Sequence, residues 1–171
     1  MNPNHDLGTI SRCYTVRYER TSRHSAERLW RAITDPDEVT KWMQYPARID
    51  MRVGGDYFVD FAKTNEGCLD GVIVAIEPAR LLRYAWGNSI VEWTIQALDS
   101  GCAHTFSQFG LPDRGPGEEG LVAGWHAWLD DVERYLDGLP LLDDRSDWSK
   151  LCTRYFPVLA KTFGWPAHAE Q

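Results

Sequence analysis

The stretch from Gly117 to Gly138, GEEGLVAGWHAWLDDVERYLDG, constrains the fold of this chain more than any other. Leu121, Trp125, Trp128, Leu129, Val132 and Leu136 recur at three- and four-residue spacings, which puts them on one stripe of an α-helix. Glu118 and Glu119 fall in the first turn, where negative charge complements the helix dipole. Gly138 followed by Pro140 is a stop signal. Such a stripe has to be covered. The chain offers a cover between Val53 and Leu111, where the apolar runs are short and alternating, as in strands.

The segments before the helix read in order. Residues 1–11 are polar and expected to be a flexible N-terminus. Arg12 to Arg20 alternates, with Tyr14, Val16 and Tyr18 turned inward. Ser25 is placed to cap a helix carrying Leu29, Trp30 and Ile33 on one side. Asp35 caps the next helix and Pro36 takes its first position, with Val39, Trp42 and Met43 as the apolar side. Strands are predicted over 47–51, 56–62, 68–77, 81–86, 90–98 and 102–109. Gly54-Gly55, 64–67, 78–80, Gly87-Asn88 and 99–101 are the turns. In the third of these strands Val72, Val74 and Ile76 are expected on one inward face.

One strand, two short helices, about six antiparallel strands and one long helix add up to an α+β helix-grip: a curved antiparallel sheet wrapped around the long helix. A curved sheet and a straight helix diverge along their length, so a cavity is expected at one end. This domain should span 12–139, with 140–171 as a C-terminal helical extension. In that extension Trp148, Leu151, Cys152 and Tyr155 form a stripe, Pro157 should end or kink the helix, and VLAKTFGW continues apolar. A stripe of this kind leaves water. The first expectation is docking on its own domain; closure of the pocket mouth and homodimer formation are the alternatives.

Composition excludes several functions. The formal net charge is -7 and the Lys and Arg residues are scattered, which disfavours nucleic acid and anionic membranes as partners. No apolar run approaches the roughly 20 residues of a membrane span, and MNPNHDLGTISR lacks the apolar core of a signal peptide. A cytoplasmic location is the expectation. Cys13, Cys68, Cys102 and Cys152 form no C-x-x-C pair and are expected to stay reduced. The histidines show no metal-binding spacing, and the glycine pairs lack the lysine of a phosphate loop, so neither metal nor cofactor is expected. There is no G-x-S-x-G. Alternation puts Asp70 and Glu92 on the outer face, away from acid–base duty.

Four segments resemble one known family. SAERLWRAITDPDEVTKWM is similar to its opening helix pair, with a Trp-Ala-Ile-Thr-Asp-Pro core at Trp30 to Pro36, interrupted here by Arg31, and with Trp42. GGDYFVDF is similar to its Gly-Gly-x-Tyr/Phe strand, and GVIVAIEPARLLRYAW to its hairpin from Gly71 to Trp86. GWHAWLDDVERYLDG is similar to its closing helix. The resemblance, from Arg12 to Leu139, is to the activator-of-Hsp90-ATPase homologue 1-like proteins of the START/Bet v 1-like superfamily. One departure is the end of the last strand, Gln108-Phe109-Gly110, where the family commonly carries a His-Ser-Gly-like segment.

The resemblance implies a hydrophobic pocket between sheet and long helix. In this chain Trp42, Met43, Tyr57, Val72 and Tyr84 are candidates for its walls, with Trp86, Trp93, Phe106, Trp125 and Trp128. The same rings would serve equally to fill a core. The first expectation is non-catalytic binding of a hydrophobic or aromatic small molecule. The alternative is an aromatase/cyclase acting on a polyketide-like chain, which needs a buried polar group: Tyr84, Gln108 or His126. The family name alone implies a third, an Hsp90 co-chaperone contact. His104, on a strand, carries a weaker form of the same catalytic suggestion.

Overall fold

The computed structural model describes residues 12–61, 67–142 and 144–166. Its elements run β1 (Cys13–Ser22), α1 (Ala26–Thr34), α2 (Pro36–Met43), β2 (Ala47–Ile49), β3 (Asp56–Phe61) and β4 (Gly67–Glu77). Then follow β5 (Leu81–Trp86), β6 (Ser89–Ala97), β7 (Cys102–Pro112), α3 (Glu119–Leu136) and α4 (Asp144–Phe163). The seven strands form one curved, open antiparallel sheet in the order β1-β7-β6-β5-β4-β3-β2. Consecutive strands pair as hairpins, apart from the first, which returns to pair with the last. The α+β helix-grip expected from the sequence is the fold that forms. The polar segment 1–11 and most of the expected hairpin turn at 64–67 lie outside the described residues.

Two irregularities set the shape of the sheet and the direction of its side chains. On β7, Phe109 and Gly110 together face Thr15, because Tyr14 pairs with Leu111 and Val16 with Gln108. Gly110 takes a φ of 78°, which a glycine adopts without strain. The extra residue lets Gln108 and Leu111, three apart, both point inward and be buried. On β4, Val74 is the residue left over between the pairs Ile73–Tyr84 and Ala75–Arg83. This overturns the expected inward face of that strand. Ile73 is buried, whereas Val72 and Val74 are 45% and 44% exposed. Ile76, beyond the bulge, packs back against the core. A bulge resets the two-residue parity, and strict alternation cannot see it. Gly71 is required nearby: a Cβ there would lie 2.4 Å from the Ala85 carbonyl oxygen.

The two short helices are fixed by their caps and by one buried carboxylate. The Ser25 hydroxyl accepts from the Arg28 amide at 3.2 Å, and Asp35 accepts from the amides of Asp37 and Glu38 at 3.0 and 3.2 Å. Glu38 is buried and held by Arg28 at 2.7 Å and Arg31 at 2.8 Å. The Trp42 indole donates to the Ala32 carbonyl at 2.8 Å, closing the V between α1 and α2.

Helix α3 buries Val122, Ala123, Trp125, Leu129 and Val132. Leu121, Trp128 and Leu136 lie half-buried at the flank. The buried face is therefore wider than the sequence stripe and shifted from it, because α4 covers a second side. Trp148 of α4 donates to the Gly120 carbonyl at 3.0 Å, and a Cβ on Gly120 would stand only 3.0 Å from the Trp148 ring. The Tyr155 hydroxyl lies 2.6 Å from His126 Nδ1. Leu151 and Leu159 are buried, Phe163 meets Tyr14 at 5.2 Å between ring centres, and the Trp165 indole donates to Asp113 at 3.0 Å. The apolar tail thus docks on its own domain. Of the two expectations for Pro157, an end is ruled out: α4 continues through it to Phe163. One missing N–H is tolerated because packing holds the helix on both sides of it. Among the described residues no helix is long and apolar enough to cross a membrane.

If α4 is part of the folded unit, deleting residues 144–171 exposes the flank of α3 and removes several kcal/mol of burial. The melting temperature by calorimetry should then fall by roughly 10 °C. An unchanged melting temperature would show that α4 contributes nothing.

Candidate functional site

Between the sheet and α3 lies a continuous array of rings. Tyr57 and Tyr84 stack with centroids 4.0 Å apart and planes 8° from parallel. Trp86 meets Tyr84, Phe61 and Trp125 at 5.8, 6.0 and 5.6 Å. Trp125 packs on Phe106 at 4.2 Å, and Phe106 on Trp93 at 5.1 Å. At the other end Trp128 meets Trp125 at 5.2 Å, Phe61 at 5.7 Å and Tyr45 at 6.4 Å. Trp128 and Tyr45 are half-buried, so the array reaches the surface there, between α2 and α3. Trp42 and Met43 are buried with the array's core. Val72 does not join them; the β4 bulge leaves it on the outer face.

The three polar groups singled out from the sequence do not converge. Gln108 is buried and used twice: its amide N–H donates to Ser89 at 2.7 Å, and its carbonyl accepts from the Trp125 indole at 2.6 Å. Ser89 in turn donates to the Trp86 carbonyl at 2.8 Å. Tyr84 is buried under Tyr57, and burial first of all holds its phenol well above the usual range. His126 lies on the α4 side of α3, against Tyr155 and edge-on to Tyr18. Burial lowers its pKa, and Asp130 works against that.

A second polar region lies at the β1–β7 end, where a groove of ≈ 820 Å³ opens beside α3. Arg20 of β1 reaches Asp130 of α3 at 2.5 Å. Ser22 donates to Glu133 at 2.8 Å. His104 of β7 faces the same groove and is 3% exposed, yet neither of its ring nitrogens has a hydrogen-bond partner. The second carboxylate oxygen of Glu133 is also buried without a partner. Each such group costs about 1–3 kcal/mol when left unpaired. Burial, reinforced by Arg20, pulls the His104 pKa down to about 4. Burial also raises that of Glu133, partly offset by Ser22.

Sequence reasoning gave His104 little weight and passed over Arg20, Asp130 and Glu133. The signal was present. Arg20 and Ser22 continue the inward parity of Tyr14, Val16 and Tyr18, and Glu133 follows Leu129 by one helical turn. A charged residue on a core-facing position is informative. Glu92 and Asp70 do lie on the outer face as expected; Glu92 is ion-paired to Arg83 across the hairpin. Among the described residues no group of three or more His, Cys, Asp or Glu side chains is placed to hold a metal ion.

Comparison with known proteins places this geometry. The family model described as activator of Hsp90 ATPase homolog 1-like protein matches residues 23–137. Among solved structures, protein MLL2253 from Mesorhizobium loti is 28% identical with a TM-score of 0.67, over 75% of this chain and 100% of that one. EF2215 from Enterococcus faecalis is 15% identical with a TM-score of 0.73, over 86% and 85%, and shares the fold. DynU16, a protein of the dynemicin biosynthetic locus, is 26% identical with a TM-score of 0.59, over 74% of this chain and 48% of that one. A comparison with curated proteins returns no match.

Two outcomes follow from the buried polar groups. Replacing Gln108 by Leu strands the Trp125 indole and leaves Ser89 bonded only to the Trp86 carbonyl, and should cost about 1–3 kcal/mol in urea unfolding; a loss under about 0.5 kcal/mol would show the amide to be dispensable. His104 titrates from 6.5 in the unfolded chain to about 4 in the fold. Between those values the unfolded chain binds a proton that the fold refuses, so this residue lowers stability as pH falls. Glu133, raised by burial, acts with the opposite sign. The melting-temperature difference between His104→Phe and wild type should therefore shift in favour of the variant as pH drops from 6.5 towards 4. A difference that stays constant with pH would contradict a neutral, buried imidazole.

Proposed function

This chain belongs to the family of activator of Hsp90 ATPase homolog 1-like proteins, and from that premise we propose that it binds a flat hydrophobic or aromatic small molecule against the rings between sheet and α3. The observation that carries the reading is the array itself. Stacked and edge-on rings run from the buried Trp93–Phe106 pair to Trp128 and Tyr45, which lie half-buried at the surface. Rings that meet the surface in this way offer an incoming flat molecule faces to stack on, at little cost in desolvated polarity. Trp128 and Tyr45 are the residues that must swing aside to admit it. Binding without turnover fits the polar groups of the array: Gln108 is committed to Ser89 and Trp125, and Tyr57 donates to the Ile33 carbonyl at 3.0 Å.

One observation favours a second reading, an enzyme of the aromatase/cyclase type. DynU16, 26% identical to this chain, comes from a biosynthetic locus. That reading requires Tyr84, Gln108 or His126 to act on a polyketide-like chain, and it ends if alanine at each of the three leaves turnover untouched.

The binding reading is tested with the neutral fluorophore N-phenyl-1-naphthylamine. Saturable quenching of the tryptophans is expected, weakened about tenfold in Trp128→Ala. Non-saturable quenching, or equal affinity in Trp128→Ala and Tyr45→Ala, would remove the array as the binding surface.

A further inference from the structure

We propose that the groove between the β1–β7 edge and α3 is a separate binding site for a small neutral molecule carrying a hydroxyl beside a carbonyl, with His104 and Glu133 as its hydrogen-bond partners. His104 stands on the inner face of β7, 5.9 Å from the Trp93 ring, and a phenylalanine would pack there as well. Instead the position carries two nitrogens, both buried and both without a protein partner. Two polar neighbours on β1, Arg20 and Ser22, are already engaged. Arg20 is committed to Asp130, with a longer contact to the His126 carbonyl at 3.5 Å. Ser22 donates to Glu133. One imidazole and one carboxylate oxygen are therefore left unpaired, both on residues that line the groove, with the atoms themselves just beneath its surface.

The chemistry of these atoms selects the ligand. Burial and Arg20 keep the imidazole uncharged at neutral pH. A neutral imidazole offers one N–H donor and one nitrogen acceptor. Glu133 adds a further acceptor. A carbonyl oxygen satisfies the donor, and a hydroxyl satisfies an acceptor. An anion would meet three carboxylates, Glu19, Asp130 and Glu133, against Arg20, which Asp130 holds, and Arg134, which reaches to the Pro140 carbonyl. A cation would lie in the same field of Arg20 that helps drive the proton from His104. This site shares no residue with the surface end of the ring array at Trp128 and Tyr45, so either can fail without the other.

The experiment uses the full chain with its histidine rings labelled with ¹⁵N, titrated with hydroxyacetone and separately with glycolate, its charged counterpart. Hydroxyacetone should move the His104 ring nitrogens saturably in the millimolar range, and glycolate should not. His104→Phe and Glu133→Gln, followed at the backbone amides of Ala103 and Thr105, should each weaken binding about tenfold. Without ligand, His104→Phe should melt higher than wild type, as expected where a binding group is kept at the expense of stability. Should His104→Phe fail to fold, Glu133→Gln carries the test. No saturable response to hydroxyacetone, equal response to glycolate, or unchanged affinity in Glu133→Gln would overturn the proposal. So would a folded His104→Phe that melts lower and leaves the titration unchanged, the behaviour of an imidazole bridged by structural water.

Discussion

One side-chain amide decides how helix and sheet meet. Rings alone make a slippery interface: an edge-on contact at 5 or 6 Å loses little when one ring slides. Gln108 removes that freedom. Its two ends hold Ser89 on the neighbouring strand and the Trp125 indole on α3, and Ser89 is tied to the Trp86 backbone. In an apolar interior each of these bonds is costly to leave unmade, so the helix has one favoured position along the sheet. Gln108 faces inward by the same alternation that buries His104 and Phe106, and the bulge at Phe109 and Gly110 just beyond it brings Leu111 to the same face.

From that fixed point α3 divides the interior into two kinds of space. On one side are rings that satisfy one another. On the other, towards β1, are charges: Arg20 with Asp130, Ser22 with Glu133, and a histidine with nothing. The Arg20–Asp130 and Ser22–Glu133 pairs add positional restraint where the rings give none, because a hydrogen-bonded ion pair at 2.5 Å tolerates little displacement. The helix is thus located by polar bonds at both its middle and its far half, and the rings fill what lies between.

Most of the fold was legible before any coordinates. The caps at Ser25 and Asp35, the order of the strands and the identity of the long helix follow from local chemistry, which the chain carries in full. What escaped was non-local. The β4 bulge moved Val72 and Val74 to the outside, and nothing in GVIVAIE distinguishes a bulged strand from a regular one. Pro157 reads as an end or a kink, and the helix does not end there, because the stabilising contacts come from α3 and β1 rather than from its neighbours in sequence. The site was legible by type and not by place. The aromatic residues were identified as a group, but His126, expected among the buried polar groups of the pocket, faces α4. The polar region needed strand parity carried two residues further along β1.

Helix α3 has a second cover besides the sheet. Here it lies between the sheet and α4, with Trp148 seated over Gly120 and Tyr155 against His126. A beam supported along both flanks resists bending, and the collective lifting of α3 that would open the interior along its length becomes expensive. On the binding reading proposed above, entry is then left to the Tyr45–Trp128 end, while the groove beside Arg20 stays open. Helix α4 thereby stiffens the grip along the flank of α3 and leaves any opening to its ends.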